Sequence, residues 1–568
     1  MASDRVIGLP CYTTRLEMRF PWNYSKRFVA GAVFGLYMAH LLFFLNPQIE
    51  IDPVRLIIVT VLYAILCGLI FGSILWGFRA LRVRIFGRPG EVGDGAYHPH
   101  GFGFVVASAF LSGLVYWSHL GLLRIYLPRG AVRILSKATV VIGVAAVLLF
   151  ILWLFEKNAG RKLSRILYAT GAGLILLSLV FLYVRREGYR DDLRPPVASA
   201  VTVGQSTPVS LIAIRDLPYD WVVTIRGEGG LPFLSAMADE GLLARVEPFR
   251  TTSPKAIWAS LNTGKLPYRH GVTGRFSYRT PLNRPGEAFL LVPMGVGFKG
   301  WGLVPPVERI SAQLPSGNAT PFWGVFERMS SSVEVRGWRS GAKEEESMRI
   351  DESGPVDEFE RTVTSLVPGL AEALIAAVRV DVHRIHSAKG SGTDLTAIDL
   401  ESLDRSIEIL DIEGNRLPAR HTREGEIIRS LLSLLDREIE AFHESRTIRG
   451  ILLVVSPSAP EPPVLPGSVP GLFRAFGEAQ DPGVDDGLLI LSGGGVISRN
   501  LFSEVEVVDV VPTLLFAAGL PIARDMDGRI ITEAFTDEFV RTNPLSMIQS
   551  YEEAAELRPP DQPRANQG

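Results

Sequence analysis

Five apolar stretches, at residues 28–45, 56–78, 102–123, 138–155 and 166–184, constrain this chain before anything else does. Each is close to the ~20 residues that a helix needs to cross a hydrocarbon layer. One such run could be a buried helix of a soluble domain, but five in series, with basic flanks, read as membrane spans. They also account for a mean hydropathy of +0.21. The first is expected to stay on the protein rather than act as a cleaved leader, because its basic lead-in is long and further spans follow at once. His40 and His119 fall in or near these spans and are read as neutral side chains packed between helices.

The basic residues orient the spans. Arg5, Arg15, Arg19, Lys26 and Arg27 precede the first, only Arg55 lies between the first and second, and Arg79, Arg82, Arg84 and Arg88 lie between the second and third. These place the N-terminus inside. Lys157, Arg161, Lys162 and Arg165 agree with that orientation, whereas Arg124, Arg129, Arg133 and Lys137 oppose it. Five crossings then put everything after residue 184 outside the cytoplasm, on an inner or plasma membrane. Charges nearly balance, 58 basic against 60 acidic, which argues against a nucleic-acid partner. The two cysteines, Cys11 and Cys67, make no disulfide framework, since Cys67 sits inside an apolar run.

The expected organisation is a cytoplasmic segment (1–27), a five-helix transmembrane domain (28–186), a linker (187–208) with Pro195, Pro196 and Pro208, an α/β domain (209–545) and a disordered tail (546–568). From residue 209 apolar strand-like runs alternate with helical ones, the pattern of a mostly parallel sheet with crossover helices. Strands are expected at 209–214, 334–337, 395–400, 450–455 and 487–491, with helices at 357–377 and 425–446. Residues 215–220 read as a polar turn, and the Gly- and Pro-rich stretch 275–320 as an excursion above the sheet.

The order of pieces from 209 to 271 is specific: a VSLIAI strand, an LPFLSAMADEG helix, a TTSP turn and a TGKLPYRHG close. A DVVPTLL…GLP…DMDGR run follows far downstream, from Asp509 to Arg529. Together these resemble the alkaline phosphatase superfamily, in particular its type I phosphodiesterase/nucleotide pyrophosphatase branch. The membrane-plus-ectodomain plan is similar to that of membrane phosphotransferases such as phosphoethanolamine transferases and lipoteichoic acid synthases. The resemblance implies an α/β domain with two zinc ions clamping a phosphoryl group, and a Ser or Thr nucleophile.

Carried over residue by residue, the resemblance implies Thr252 as nucleophile, with Ser253 beside it; both equally suit a helix N-cap. The Asp expected after the first strand is replaced by Arg215, with Asp216 one place on. An Asp followed four residues later by His is expected after a later strand, and Asp404 with Glu408 stands in that place. The Ser-Asp-His-Gly expected after another strand reads Ser456-Pro457-Ser458-Ala459, and no histidine follows His443. His270 matches a near-site or structural position. Metal candidates are therefore Asp404, Asp216 and Glu408, and the zinc pair is expected to be absent or incomplete. Arg215 would repel a divalent ion. It could instead bind a phosphate or sulfate, or close the site by pairing with Asp404.

The expected function is a pseudoenzyme at the membrane that binds an anionic, phosphate-bearing envelope ligand, contacts membrane lipid or supports a partner membrane protein. The alternative is an active phosphodiesterase or phosphotransferase with a remodelled site. A reporter that is active only after export, fused behind Phe535, is expected to be active; an inactive fusion, with the α/β domain protected from protease in spheroplasts, would reverse the orientation.

Overall fold

A computed structural model describes residues 20–47, 49, 51–86, 100–122, 126–156, 161–187, 207–247, 254–272, 276–280, 283–284, 288–291, 293, 308–311, 319–338, 356–412, 416–446, 450–457, 486–500 and 505–552. The chain divides into two compact units, one holding the apolar helices and one holding a sheet.

The apolar runs form helices because only a helix satisfies every backbone N–H and C=O within one segment when no water is at hand. These are α1 (Phe20–Leu45), α2 (Pro53–Phe86), α3 (His100–Leu122), α4 (Arg129–Glu156) and α5 (Arg161–Glu187). All five are long and apolar enough to cross a membrane. Large apolar side chains stay exposed along α2 (Val54, Ile57, Ile58, Val61, Ile65, Leu69) and along α4 (Val140, Val144, Val147, Ile151), faces that suit lipid rather than water. α1 and α2 approach so closely that a Cβ on Gly35 would lie 2.2 Å from the Tyr63 carbonyl oxygen. The guanidinium of Arg186 donates to the carbonyls of Phe43, Asn46, Pro47 and Ile49 at 3.0–3.3 Å. It thereby satisfies acceptors that the end of α1 would otherwise leave unpaired.

In the second unit the central strand is β1 (Val209–Ile214). It pairs in parallel with β6 (Leu395–Leu400) on one side and β7 (Ile451–Ser456) on the other. β5 (Val333–Arg336) extends the parallel set beside β6. Beyond β7, β8 (Gly487–Ser492) runs antiparallel to both β7 and β2 (Leu242–Glu247), and β10 (Val505–Glu506) pairs with β2. The short β9 (Arg499–Asn500) also pairs with β2. The sheet is thus mixed and mostly parallel. β3 (Phe276–Arg279) and β4 (Glu308–Ser311) form a separate hairpin inside the Gly- and Pro-rich excursion.

β1 is buried on both faces, and alternate residues feed two cores. Val209, Leu211 and Ala213 pack with α8 (Pro254–Thr263), α10 (Phe322–Arg328) and the helix Val510–Ala517. Ile212 and Ile214 pack with α6 (Tyr219–Gly227), α7 (Pro232–Glu240), α11 (Asp357–Leu366), α12 (Ala371–Ser387) and α14 (Arg423–Ser445). Asp436 of α14 accepts from the N–H groups of Phe233 and Leu234, at 3.0 and 2.8 Å, and so caps α7, whose N-cap residue Leu231 offers no side-chain acceptor.

Three expectations shift. The helix expected at 357–377 is two helices, because Pro368 and Gly369 break it between α11 and α12. The turn at 215–220 already contains the start of α6, and β2 was not expected because Arg245 and Glu247 break its apolar run. The fold also runs past residue 545. Met547–Ile548 pairs with Ile522–Ala523, and buried Glu552 accepts from Lys265 Nζ at 2.7 Å and from the N–H and hydroxyl of Thr320 at 2.8 and 2.9 Å. Glu552→Ala strands the buried Lys265 charge with Asp525 alone and is expected to cost about 3–5 kcal/mol in chemical denaturation. The exposed control Glu538→Ala is expected to stay within about 0.5 kcal/mol of wild type. Equal effects would show that the C-terminal segment does not contribute to the fold.

Candidate functional site

The carboxyl ends of parallel strands are where an open α/β sheet binds its ligands. Here the ends of β1 and β6 meet in register: Ala213 lies beside Asp399 and Ile214 beside Leu400, and the Arg215 N–H donates to the Leu400 carbonyl at 3.0 Å. Asp399 is an acid inside an otherwise apolar, fully buried strand, so it needs a partner. Arg215 supplies it. Its Nε donates to Asp399 Oδ1 at 2.9 Å and its Nη2 donates to Oδ2, a two-point pairing.

The pair is the centre of a larger cluster. Glu401 accepts from Arg215 Nη1 at 3.4 Å and from Arg384 Nη2 at 3.3 Å, and its Oε2 also pairs with Arg405 Nη2 at 3.4 Å, so one carboxylate serves three guanidinium groups. Arg384 Nη1 also donates to Asp381 Oδ1 and to the Asp399 carbonyl, both at 3.2 Å. Asp381 Oδ2 takes the N–H of Ser402 at 2.7 Å. Arg384 reaches this seat from α12 because residue 337, where β5 ends, is glycine. Gly337 has φ +71°, and a Cβ there would come within 2.5 Å of Arg384 Nε. The Trp258 ring lies 5.4 Å from Arg215 Cζ. Trp338 beside it donates to Asn262 at 2.7 Å.

Burial alone would favour neutral groups here. Burial pushes the Asp381 carboxyl up to about 6, against the opposing pull of Ser402 and Arg384. Burial likewise lowers Arg215, but its bonds to Asp399 and the charges of Asp399, Glu401 and Asp404 outweigh this and hold its guanidinium above the usual value.

The expected site residues fall as follows. Thr252 and Ser253 lie outside the described residues, immediately before α8. Asp216 is half-buried in a left-handed turn, φ +53°. Asp404 is half-buried in the first turn of α13 (Ser402–Ile409), and Glu408 is exposed one turn later. Two expectations about them are corrected. The acid at the strand end is Asp399, whereas Asp404 and Glu408 lie on the helix that follows. Arg215 pairs with Asp399 and Glu401 rather than with Asp404. Ser456, at the end of β7, accepts from the Leu217 N–H at 3.0 Å, and Pro457 follows it.

His270 does not face the strand ends. It is fully buried in α9 (Pro267–His270), its Nε2 bonded to the Ser260 hydroxyl at 2.9 Å. Its Nδ1 accepts from the Val272 N–H at 3.1 Å, so the proton sits on Nε2. The motifs on either side of it clamp each other. Asp527 accepts from the Leu266 N–H, the Tyr268 hydroxyl and Arg269 Nε at 2.8–2.9 Å, and Asp525 accepts from Lys265 at 2.8 Å. Asp509 takes the Arg529 N–H at 2.7 Å. The TGKLPYRHG and DMDGR runs are therefore two halves of one internal joint. His383 and His386 lie on α12, where His386 bonds Glu438 at 2.7 Å.

Among the described residues, the donor set at the strand ends does not fit a metal pair. A fixed guanidinium stands at the head of β1 and holds both oxygens of Asp399, and Leu403 and Pro457 offer no ligand atom. Among the described residues no three His, Cys, Asp or Glu side chains are arranged to hold an ion. The missed residues, Asp399, Glu401, Asp381 and Arg384, left one usable signal: an acid near the end of a largely apolar strand.

No protein-family profile and no curated protein matches the chain. Similar solved structures include the 2-O glycosaminoglycan sulfatase BT1596, with 12% identity over 58% of this chain and 74% of that one, TM-score 0.35. Murine ectonucleotide pyrophosphatase/phosphodiesterase 5 shows 10% identity over 58% and 100%, TM-score 0.33. Alkaline phosphatase PafA shows 11% over 59% and 100%, TM-score 0.37. These neighbours are alkaline phosphatase superfamily members. At such scores the likeness says nothing about the site, whose character rests on the strand-end geometry above.

Burial drives the His270 pKa from 6.5 down to about 3, with the nearby Lys265 charge adding to the shift. A depressed value means that the unfolded chain takes the proton first, so this contribution is present above pH 6.5 and is lost as the pH falls toward 3. The slope is about 1.4 kcal/mol per pH unit. Denaturation curves from pH 7 down to 4 are expected to be steeper in pH for wild type than for His270→Gln. Parallel curves would show that His270 titrates as an ordinary exposed imidazole.

Proposed function

We propose that this chain is a membrane-anchored protein whose α/β domain, of alkaline phosphatase type, works without hydrolysis as a metal-independent scaffold supporting a partner protein at the membrane. The observation that carries this reading is the two-point Arg215–Asp399 pair at the strand ends, where the sequence resemblance calls for metal-binding carboxylates. A cation held there by covalent attachment removes both the vacancy and the ligands that a divalent ion would need. Because Arg215 is already engaged by Asp399 and Glu401, support of a partner is favoured over capture of an envelope phosphate at that residue. The five apolar helices suit a multi-pass anchor in an inner or plasma membrane, and the basic residues ahead of the first span favour an α/β domain outside the cytoplasm.

The full-length protein, purified in detergent, is expected to carry less than about one tightly held zinc or manganese ion per chain by donor count. It should show no chelator-sensitive hydrolysis of bis-p-nitrophenyl phosphate. Two equivalents of metal together with chelator-sensitive turnover would overturn this reading and restore the active phosphodiesterase.

A further inference from the structure

We propose that Arg215 is a built-in replacement for a bound ion: its guanidinium neutralises a carboxylate pocket that would otherwise take up a divalent cation. The proposal rests on the metal-independent reading above and explains how the domain sustains it.

The geometry is that of a two-cation centre assembled from side chains. Glu401 puts one oxygen on Arg215, at 3.4 Å, and the other on Arg384, at 3.3 Å, as a carboxylate bridges two metal ions. Each cation has a further acid of its own, Asp399 for Arg215 and Asp381 for Arg384. All three acids are buried, Asp381 wholly so and Asp399 to within 1%. Buried carboxylates in a low-dielectric setting require positive charge nearby. Both Asp399 oxygens are bonded by Arg215, and the charge of Arg384 adds to the compensation without bonding them, so Arg215 is the direct partner of that acid.

Removing the Arg215 side chain would leave Asp399 facing the space the guanidinium filled, beside Glu401 Oε2, which keeps Arg405 at 3.4 Å. A hard divalent ion such as Mn²⁺ or Mg²⁺ needs only one or two carboxylates and completes its shell with water. The remaining acids are therefore enough for one weakly held hard ion, although they are too few for a zinc pair. Arg384 stays in place in such a variant and continues to hold Asp381 and the second oxygen of Glu401. Only the Arg215 position is converted.

The test compares full-length wild type with Arg215→Ala in detergent, by thermal unfolding and by Mn²⁺ titration followed by electron paramagnetic resonance. Wild type is expected to ignore Mn²⁺. Arg215→Ala is expected to melt lower, to regain melting temperature as Mn²⁺ is added, and to lose that gain when Asp399→Asn is introduced as well. A folded Arg215→Ala protein that neither binds Mn²⁺ nor is stabilised by it would overturn the proposal while leaving the metal-independent reading intact. A chelator-removable ion in wild type itself would overturn both. Where Arg215→Ala fails to accumulate, the double variant Arg215→Leu/Asp399→Leu decides, since it removes the cation and its dependent acid together. Recovery of folded protein supports charge replacement, and failure to recover assigns Arg215 a packing role instead.

Discussion

The pairing of Arg215 with Asp399 sets the character of the strand ends in the α/β unit. It joins adjacent parallel strands at the edge where such sheets bind ligands, and it does so inside the protein, where an unpaired charge costs most. Everything near it is arranged around that demand. Glu401 ties Arg215 to Arg384, Gly337 clears room for Arg384, and Trp258 lies against Arg215. A buried ion cluster of this kind is a poor source of net stability, because desolvation cancels much of the attraction. What it provides is definition: the guanidinium forks fit their acceptors in one arrangement.

The second organising contact follows α8 in the chain. There the turn 264–269 and the turn 525–529 exchange backbone and side-chain hydrogen bonds through Asp527, Asp525 and Lys265. Asp509 and Glu552 extend the joint at either end. The two runs that look most like superfamily signatures are thus framework pieces packed against each other. His270 belongs to this framework as a neutral, internally bonded imidazole.

The helical unit follows a different logic. Several of its buried polar groups find partners within the unit: Tyr37 with Ser178, Tyr116 with the Tyr37 carbonyl, and Arg186 with the end of α1. Small residues such as Gly35 let backbones touch, and large apolar residues point outward.

Much of this was legible from the residues alone. The five spans were readable because their signal is compositional and long-range averaging only strengthens it. β1, β6, β7 and β8 were readable because short, mostly apolar runs of that length have few other uses, and the fold type followed from their alternation with helices. Arg215 directly after the first strand was equally plain. The sequence could not name the partner of that arginine. Asp404 lies in a motif-like position, but Asp399 is brought to Arg215 by the pairing of β1 with β6 across 184 residues. Arg384 arrives from α12 only because Gly337 leaves space at the end of β5. The C-terminal segment to Glu552 likewise looked like a tail, because its one buried acid finds its lysine 287 positions upstream. Local patterns determine which elements form; which charges meet is decided by strand order and register, and these exist only once the chain has folded.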